Sequence, residues 1–363
     1  MNLQAPDDVV PTHRAAAANE REPLLVLEPL RAFLDAHGLA GGSGVLRAAP
    51  IGNGHSNVTY LLHSGDAELV LRRPPRGPLP PSAHDVLREA RLLRALEHTG
   101  ARVPRVLAVG DDATVIGAPF YVMERVPGTV VTDVVPPALD TPAERRRLGE
   151  ELVDALVEVH AVDWRAHGLE GFSRDPGGYL ERQLRRFGGL WEQLKTREVD
   201  AVDAVGAWLG EHLPRSGPAT VVHGDYRLGN AMMAAAAPAR LVAIFDWEMA
   251  TLGDPLADLG YLCSMWVQHD DPPLPVLFEF GGVTRLEGFL TRDEIVARYE
   301  QRSGRAMTDI RWYRTLALWK AAVFMEGNYR RAISGSTDDP WLKGFGDGVV
   351  ELAERARALT RGG

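Results

Sequence analysis

One stretch of the chain, Val221-Val222-His223-Gly224-Asp225-Tyr226-Arg227-Leu228-Gly229-Asn230, carries the strongest signal in the sequence. Two apolar residues lead into a His-Gly-Asp triplet, and an asparagine follows the aspartate five positions later. A second apolar run ends in a carboxylate at Asp246, inside Ala243-Ile244-Phe245-Asp246-Trp247-Glu248. The pattern predicts two short strands that present Asp225, Asn230 and Asp246 at their ends.

These three side chains form a plausible set of oxygen donors for a metal. Mg²⁺ prefers a few carboxylate or carbonyl oxygens and fills its other positions with water and substrate phosphate. Phosphoryl transfer needs such a metal together with a group that deprotonates or orients the attacking hydroxyl. Asp and Asn also cap ordinary turns, so either residue alone would indicate no more than a turn. The combination favours a phosphoryl-transfer site.

Composition narrows the class of protein. The 363 residues have a net charge of −9 and a hydrophobic fraction of 45%, which is ordinary for a globular protein. The acidic balance argues against a general nucleic-acid binder, which needs a basic face. A single cysteine, Cys263, excludes an intrachain disulfide and a thiolate zinc cluster, and its apolar neighbours predict a buried, inert thiol.

Hydropathy predicts a soluble cytoplasmic protein with no membrane partner. No uncharged apolar run approaches the ~20 residues that span a bilayer. Asp7 and Asp8 stand where a signal peptide would carry positive charge.

Periodicity divides the chain into three regions. Residues 1–22 are polar and aperiodic, which predicts a disordered tail. Residues 23–125 predict a small lobe rich in strands, with one internal helix over 83–98. Residues 126–363 are mainly helical, with a short β-rich island around the quoted stretch. The sequence therefore predicts an α+β fold of two lobes, in which a small β-rich N-lobe precedes a larger helical C-lobe.

The motifs resemble those of a known superfamily. HGDYRLGN resembles the catalytic loop, and IFDWEMATLGDP the metal-binding segment, of the aminoglycoside phosphotransferase and choline kinase superfamily, which has the protein-kinase-like fold. The resemblance extends from about Gly44 to the final helices. The stretches VLRRPP and PSAHDV…RE are most similar to the phosphotransferase-like branch related to domains fused to acyl-CoA dehydrogenases.

The resemblance implies roles for the residues of the quoted stretch. Asp225 is expected to be the catalytic base, Asn230 and Asp246 to hold Mg²⁺, and His223 to brace the loop. Arg227 falls where many protein kinases place a lysine that contacts the γ-phosphate; a solvated surface side chain is the alternative.

The same resemblance assigns the nucleotide to the N-lobe. The segment from Gly52 to Ser56 lies between two predicted strands, where a phosphate-covering loop is expected. Gly52, Gly54 and Ser56 suit a close approach of backbone N–H groups to phosphate, although Gly-Asn-Gly also occurs in ordinary turns. The backbone groups of Glu124 and Val126 match the hinge that binds adenine, and the sequence does not distinguish ATP from GTP.

The N-lobe departs from the family pattern at one position. The family carries a phosphate-binding lysine on the strand after the loop, whereas this chain has no lysine before Lys195. Val70 and Arg72 share one strand face, so Arg72 takes the lysine's position and can bind phosphate as a two-pronged donor. Glu89 matches the helix-borne glutamate that pairs with the strand cation; a surface pair with Arg88 or Arg91 is the alternative.

Three functions remain open on the sequence alone. The favoured one is an ATP-dependent, Mg²⁺-dependent small-molecule kinase that acts on a hydroxyl of a metabolite, such as a hydroxyacyl compound, or of an aminoglycoside-like acceptor. The missing lysine motivates the alternative, a nucleotide-binding regulatory module without phosphotransfer. A metal-dependent hydrolase built from His223, Asp225 and Asp246 is the third, and it would need further ligands. The oligomeric state is not predicted.

Overall fold

The chain forms two compact units. The computed structural model describes residues 8–19, 21–42, 44–52, 57–77, 84–272, 282–335 and 340–361. The first unit comprises the residues up to Thr99 together with Val103–Val126, and the second comprises Gly100–Arg102 and the residues from Pro127 onward. The sequence prediction placed this boundary one residue earlier, after residue 125.

Strands dominate the first unit. In chain order, its elements are β1 (Val9–Val10), α1 (His13–Ala17), β2 (Leu25–Val26), α2 (Leu27–Ala36), β3 (Arg47–Pro50), β4 (Val58–Ser64), β5 (Ala67–Arg73), α3 (Val86–Leu96), β6 (Val106–Gly110) and β7 (Phe120–Glu124). Five of the strands form an antiparallel sheet in the order β3-β4-β5-β7-β6.

Alternation along β4 and β5 builds the core of this sheet. Tyr60 lies opposite Leu71, and Leu62 lies opposite Leu69. All four side chains are buried, because side chains two apart on a strand share a face. The predicted strands of this region are therefore present, and the loop after β3 connects two paired strands as expected.

Residues 8–19 differ from the sequence prediction. Residues 1–22 were expected to form a disordered tail, yet β1 pairs in parallel with β2, and the Thr12 side chain caps α1 at Ala15. Asp8 is buried, and its carboxylate lies 2.5 Å from Arg76. A two-residue strand has no periodicity to detect, and its ordering depends on partners far along the chain.

Helices dominate the second unit. In chain order, its elements are β8 (Thr129–Val130), α4 (Pro142–His160), α5 (Tyr179–Leu194), α6 (Asp200–Glu211), β9 (Thr220–Val222), β10 (Ala231–Met233), β11 (Leu241–Ile244), β12 (Thr251–Gly253), α7 (Leu256–Met265), α8 (Arg292–Ser303), α9 (Ile310–Ile333) and α10 (Phe345–Thr360). No helix within the described ranges combines the length and apolar character needed to cross a membrane.

The helical core agrees with the predicted pattern. The aromatic stripe of α9 is mostly core, and the indole N–H groups of Trp312 and Trp319 donate to the carbonyls of Leu209 and Val202 in α6. The last helix, α10, begins at Phe345, after a 3₁₀ turn.

Short strands of the second unit position the quoted stretch. β9 pairs with β12, and β10 pairs with both β11 and β8. Residues 223–230 connect the end of β9 to the start of β10, and Asp246 lies two residues beyond the end of β11. Both predicted strand ends are present, so the three oxygen donors follow buried β-structure as the sequence indicated.

Candidate active site

A buried carboxylate, Asp258, fixes the start of the loop over residues 223–230. The backbone N–H groups of His223 and Gly224 donate to the two oxygens of Asp258, at 2.7 and 2.8 Å. His160 lies 3.2 Å from the same carboxylate, which is 1% exposed. Burial alone would raise the pKa of Asp258, but the hydrogen bonds from His160 and from the Gly224 N–H outweigh it and hold the pKa below its usual value. Asp258 therefore anchors the backbone at the start of this loop.

His223 joins the loop to the segment that carries Asp246. Its Nε2 lies 2.8 Å from the carbonyl oxygen of Phe245, and its Nδ1 lies 3.2 Å from the backbone nitrogen of Asp225. A carbonyl can only accept and an N–H can only donate, so the imidazole is neutral with its proton on Nε2. His223 is fully buried, as expected for a brace.

Gly224 is the one residue type that fits its position. Its φ is +87°, and a Cβ there would lie 2.8 Å from the carbonyl oxygen of Met249 and 2.9 Å from its Cβ. A side chain would therefore displace the backbone next to Asp225.

Asn230 folds back onto Asp225. The Asn230 Nδ2 donates to the Asp225 carbonyl at 2.8 Å and to its carboxylate Oδ2 at 2.7 Å. The amide nitrogen of this buried side chain is therefore committed, and its Oδ1 is the atom it can offer to a metal.

Asp246 lies close to Asn230 along the paired strands. The N–H of Phe245 donates to the carbonyl of Asn230 at 2.8 Å, which brings Asp246 next to it. Asp246 has φ 63° and ψ 60°, a left-handed conformation that aspartate tolerates better than most residues. Among the described residues, no group of three or more His, Cys, Asp or Glu side chains could hold a metal ion.

Arg227 lies beside the predicted base. Its Nε is 3.6 Å from Oδ1 of Asp225, and 35% of its side chain is exposed. A guanidinium in this place adds positive charge next to Asp225.

The first unit contains the predicted cation–carboxylate pair. The Nε of Arg72 lies 3.0 Å from the Oε2 of Glu89, with the two side chains 13% and 2% exposed. Val70 lies opposite Met123, and Arg72 opposite Tyr121, across β5 and β7.

The neighbouring Arg73 points elsewhere, as alternation predicts. Its guanidinium donates to the backbone carbonyls of Leu24, Pro74 and Ile116, and the residue is buried. Arg73 is therefore a structural anchor of the first unit.

The remaining predicted nucleotide contacts are partly outside the described residues. Gly52 has φ +80°, which suits a turn at the start of the loop, but Gly54 and Ser56 lie outside the described ranges. The N–H of Glu124 donates to the carbonyl of Arg105, so a hinge contact from Glu124 would use its carbonyl. Val126 follows the end of β7 and is half-buried.

Two residues next to Asp225 were missed by the sequence analysis. Tyr261 hydrogen-bonds to Asp225; burial, followed by the charge of Asp225 and this bond, raises the pKa of the phenol well above its usual value. Tyr261 was interpreted only as an apolar neighbour of Cys263, although it follows Asp258 by three positions on α7 and so shares its helix face. The second, Lys320 on α9, lines the same cavity as Tyr261 and Gly224.

Comparison with known proteins agrees with the geometry. A sequence model described as the phosphotransferase enzyme family matches residues 47–312. The mouse protein acyl-CoA dehydrogenase family member 10 is 33% identical over 96% of this chain, but the match spans only 32% of that protein's length. The chain also spans less than half the length of the other curated relatives that it matches.

Solved structures share the fold. A crystal structure of a candidate aminoglycoside phosphotransferase from Ralstonia eutropha has a TM-score of 0.79 at 30% identity, over 92% of this chain and 98% of that one. A thermostable mutant of the aminoglycoside phosphotransferase APH(4)-Ia, in a ternary complex with AMP-PNP and hygromycin B, has a TM-score of 0.58 at 16% identity, over 93% and 99%.

These matches confirm the two-lobed, protein-kinase-like α+β fold that the sequence predicted. They also confirm the predicted similarity to proteins named as acyl-CoA dehydrogenases. Because the family match covers well over half of its residues, this chain belongs to the phosphotransferase enzyme family.

Proposed function

We propose that the protein is an ATP-dependent small-molecule kinase that transfers the γ-phosphate to a hydroxyl group of its acceptor. The observation that carries this proposal is the arrangement of Asp225, Asn230 and Asp246. Asn230 holds the Asp225 carboxylate at 2.7 Å, and paired strands bring Asp246 next to Asn230.

The transfer step follows from the groups present. The carboxylate of Asp225 accepts the proton of the acceptor hydroxyl, whose oxygen forms a bond to the γ-phosphorus. The bond from that phosphorus to the β–γ bridging oxygen breaks, and ADP leaves with the electron pair. Asp225 later releases its proton to solvent. Arg227 lies near enough to Asp225 to stabilise charge on the transferring group.

The donor chemistry at Asn230 and Asp246 fits Mg²⁺. One carboxylate and one amide oxygen are hard ligands, and Mg²⁺ usually takes only a few protein oxygens. When bound, the ion would neutralise charge on the nucleotide phosphates. Asn230 is oriented for this task because Asp225 engages its amide nitrogen.

Residues of the first unit would bind the nucleotide. Glu89 orients the Arg72 guanidinium, which would contact the α- and β-phosphates. The loop containing Gly52, Gly54 and Ser56 would cover the phosphates. The carbonyl of Glu124 and the N–H of Val126 would bond the base.

The acceptor is a small hydroxyl-bearing molecule. The relative named acyl-CoA dehydrogenase supports a hydroxyacyl compound, and the neighbour crystallised with hygromycin B supports an aminoglycoside-like acceptor. Fold similarity alone does not decide between them, because one fold hosts many acceptors.

A nucleotide-binding regulatory module is the second candidate, and one observation favours it. Arg72 stands where the family has a lysine, and a bulkier, planar cation can bind triphosphate without aligning it for transfer. The presence of Asp225, Asn230 and Asp246 together supports the kinase instead.

Nucleotide binding and turnover together test the proposal. ATP affinity is measured with and without Mg²⁺, and ADP release is then followed against hydroxyacyl thioesters, hydroxy acids and aminoglycosides, with the phosphorylated product identified by mass. The kinase predicts Mg²⁺-dependent binding and one acceptor class with a phosphate-ester product. Binding without transfer to any acceptor would favour the regulatory module, and no binding would refute both.

A further inference from the structure

A cavity opens beside the catalytic loop in the second unit. Its walls come from α5, the loop, α7 and α9, and include Tyr179, Gly224, Tyr261, Tyr313, Leu316 and Lys320. Its volume is about 10 Å³, which is room for about one water molecule. Lys320, which is partly exposed, therefore lies at a small recess beside the loop that carries Asp225.

Lys320 brings a positive charge to a wall that is otherwise largely aromatic and apolar. Among the described residues its ammonium forms no ion pair, and its Nζ lies 4.8 Å from the centroid of the Phe187 ring. Asp258, which also lines the cavity, is already engaged by two backbone N–H groups and His160. Asp225 is held by Asn230 and Tyr261.

The surroundings of Lys320 favour an incoming anion. Burial, and next the charge of Arg186, lower the pKa of Lys320 to about 8, while Asp258 and Asp225 oppose this shift. The side chain remains mostly protonated at neutral pH, and a partly desolvated ammonium without a carboxylate partner gains from a negative ligand.

We infer that Lys320 is a specificity-determining residue that binds a negatively charged group, carboxylate or phosphate, of the phosphate acceptor. The inference rests on the proposed kinase function and narrows its acceptor. The cavity is lined by Gly224 and Lys320 but not by Asn230 or Asp246, so the anion belongs to the acceptor rather than to the nucleotide. A polycationic aminoglycoside would bring its ammonium groups toward Lys320 and Arg186, which costs affinity.

Steady-state kinetics with acceptors that differ in charge but match in chain length test the inference. The probes are a hydroxycarboxylate, its methyl ester, the matching amino alcohol and a hydroxyalkyl phosphate of the same chain length. Wild-type protein should prefer the anionic probes over the ester by at least about tenfold in kcat/KM. Lys320→Met should abolish that preference and leave the ester rate and ATP affinity within about twofold. Lys320→Arg should keep the preference, and Lys343→Met, at an exposed lysine, should match wild type.

A second measurement is independent of turnover. The chain has three lysines, Lys195, Lys320 and Lys343, so reductive methylation with ¹³C-formaldehyde gives few signals. Adding the hydroxycarboxylate or the hydroxyalkyl phosphate should raise the apparent pKa of the Lys320 signal and leave the other two unchanged. The probe that gives the larger effect identifies carboxylate or phosphate as the recognised group.

The outcomes separate this inference from the kinase proposal. Transfer with no charge preference, or an equal loss for all probes in Lys320→Met, overturns the role of Lys320 and leaves the kinase intact. Preference for the amino alcohol overturns it as well. If no probe and no acceptor of the panel is phosphorylated although Mg²⁺-ATP binds, the kinase proposal fails. The NMR titration then decides on Lys320. An unchanged Lys320 signal overturns its role, and a raised pKa supports anion binding.

Discussion

The two units hold their functional groups in different ways. In the second unit, the catalytic loop is fixed through its backbone: Asp258 accepts two N–H groups, Gly224 needs a positive φ, and strand pairing positions Asn230 beside Asp246. In the first unit, the predicted phosphate-binding residue, Arg72, is positioned by a contact between two side chains, its ion pair with Glu89.

The difference explains where the chain keeps the family pattern. A backbone-level arrangement tolerates few residue types, so the HGDxxxxN pattern is intact. A side-chain pair can exchange one cation for another and still join strand to helix, and the first unit has arginine in place of lysine. The predictions below therefore expect larger effects from the second unit than from the first.

The largest effect on ATP affinity is expected at the carboxylate that is proposed to hold the metal, Asp246. Asp246→Ala removes one of the two proposed protein ligands of Mg²⁺. Loss of a residue that only supports a metal ligand typically costs roughly 10–100-fold, so loss of a ligand should lower ATP affinity in the presence of Mg²⁺ by at least that factor. Titration calorimetry with and without EDTA measures this. Asp133→Ala, at an exposed aspartate, is the control. Equal ATP affinity in wild type and Asp246→Ala would contradict the assignment.

The backbone of the loop gives the next effect. Gly224→Ala places a Cβ 2.8 Å from the Met249 carbonyl at a positive φ, so the loop must shift, and kcat should fall roughly 100-fold, as misplacement by about 1 Å does. Gly210→Ala, in α6 with nothing within 4 Å of the added Cβ, should leave kcat unchanged. Similar kcat values for Gly224→Ala and Gly210→Ala would show that the backbone of this loop does not position the reacting groups, which contradicts the contrast drawn between the two units.

A smaller effect is expected in the first unit. Arg72→Met removes a charged donor, so KM for ATP should rise by about tenfold or somewhat more, while kcat changes little. Arg72→Lys restores the family's residue and should keep KM within a few-fold, since a lysine can still pair with Glu89. A drop in kcat of Arg72→Met as large as that of Gly224→Ala would show that the side-chain pair is as critical as the loop backbone.

The smallest effect concerns stability. Burial lowers the pKa of His160 below 6.5, although the hydrogen bond with Asp258 and the charge of Asp258 oppose this shift. The unfolded chain therefore takes up a proton first as pH falls, so stability is full above about pH 6.5 and declines below it, by at most about 1.4 kcal/mol per pH unit for this group. Urea unfolding from pH 7.5 to 5 should show a shallower decline in His160→Gln. His98→Gln, at an exposed histidine, should keep the wild-type slope.

The sequence predicted much of the fold because its signals are local. In helix α8, Arg292–Ser303, a threonine capping box starts the helix and a glycine ends it, and both signals are local. The ordered strand at Val9–Val10 was not predicted, because its pairing with Leu25–Val26 is a tertiary contact.

The candidate site, like the fold, was predictable from the sequence only where its residues carry local signals. Asp225, Asn230 and Asp246 were found because strand ends and fixed spacing carry them. Tyr261 and Lys320 were not, because they come from two helices that converge on one cavity, and helix periodicity marks both only as parts of a core face.

The central claim is that Asp225 accepts the proton of the acceptor hydroxyl. Its most direct test is single-turnover transfer from Mg²⁺-ATP at saturating acceptor, in wild type and in Asp225→Asn, with ATP affinity measured on the same samples. We predict that transfer slows by about 10²–10⁴-fold in Asp225→Asn, as expected for loss of a general base, while ATP affinity stays within about threefold. Transfer at the wild-type rate in Asp225→Asn would contradict the account.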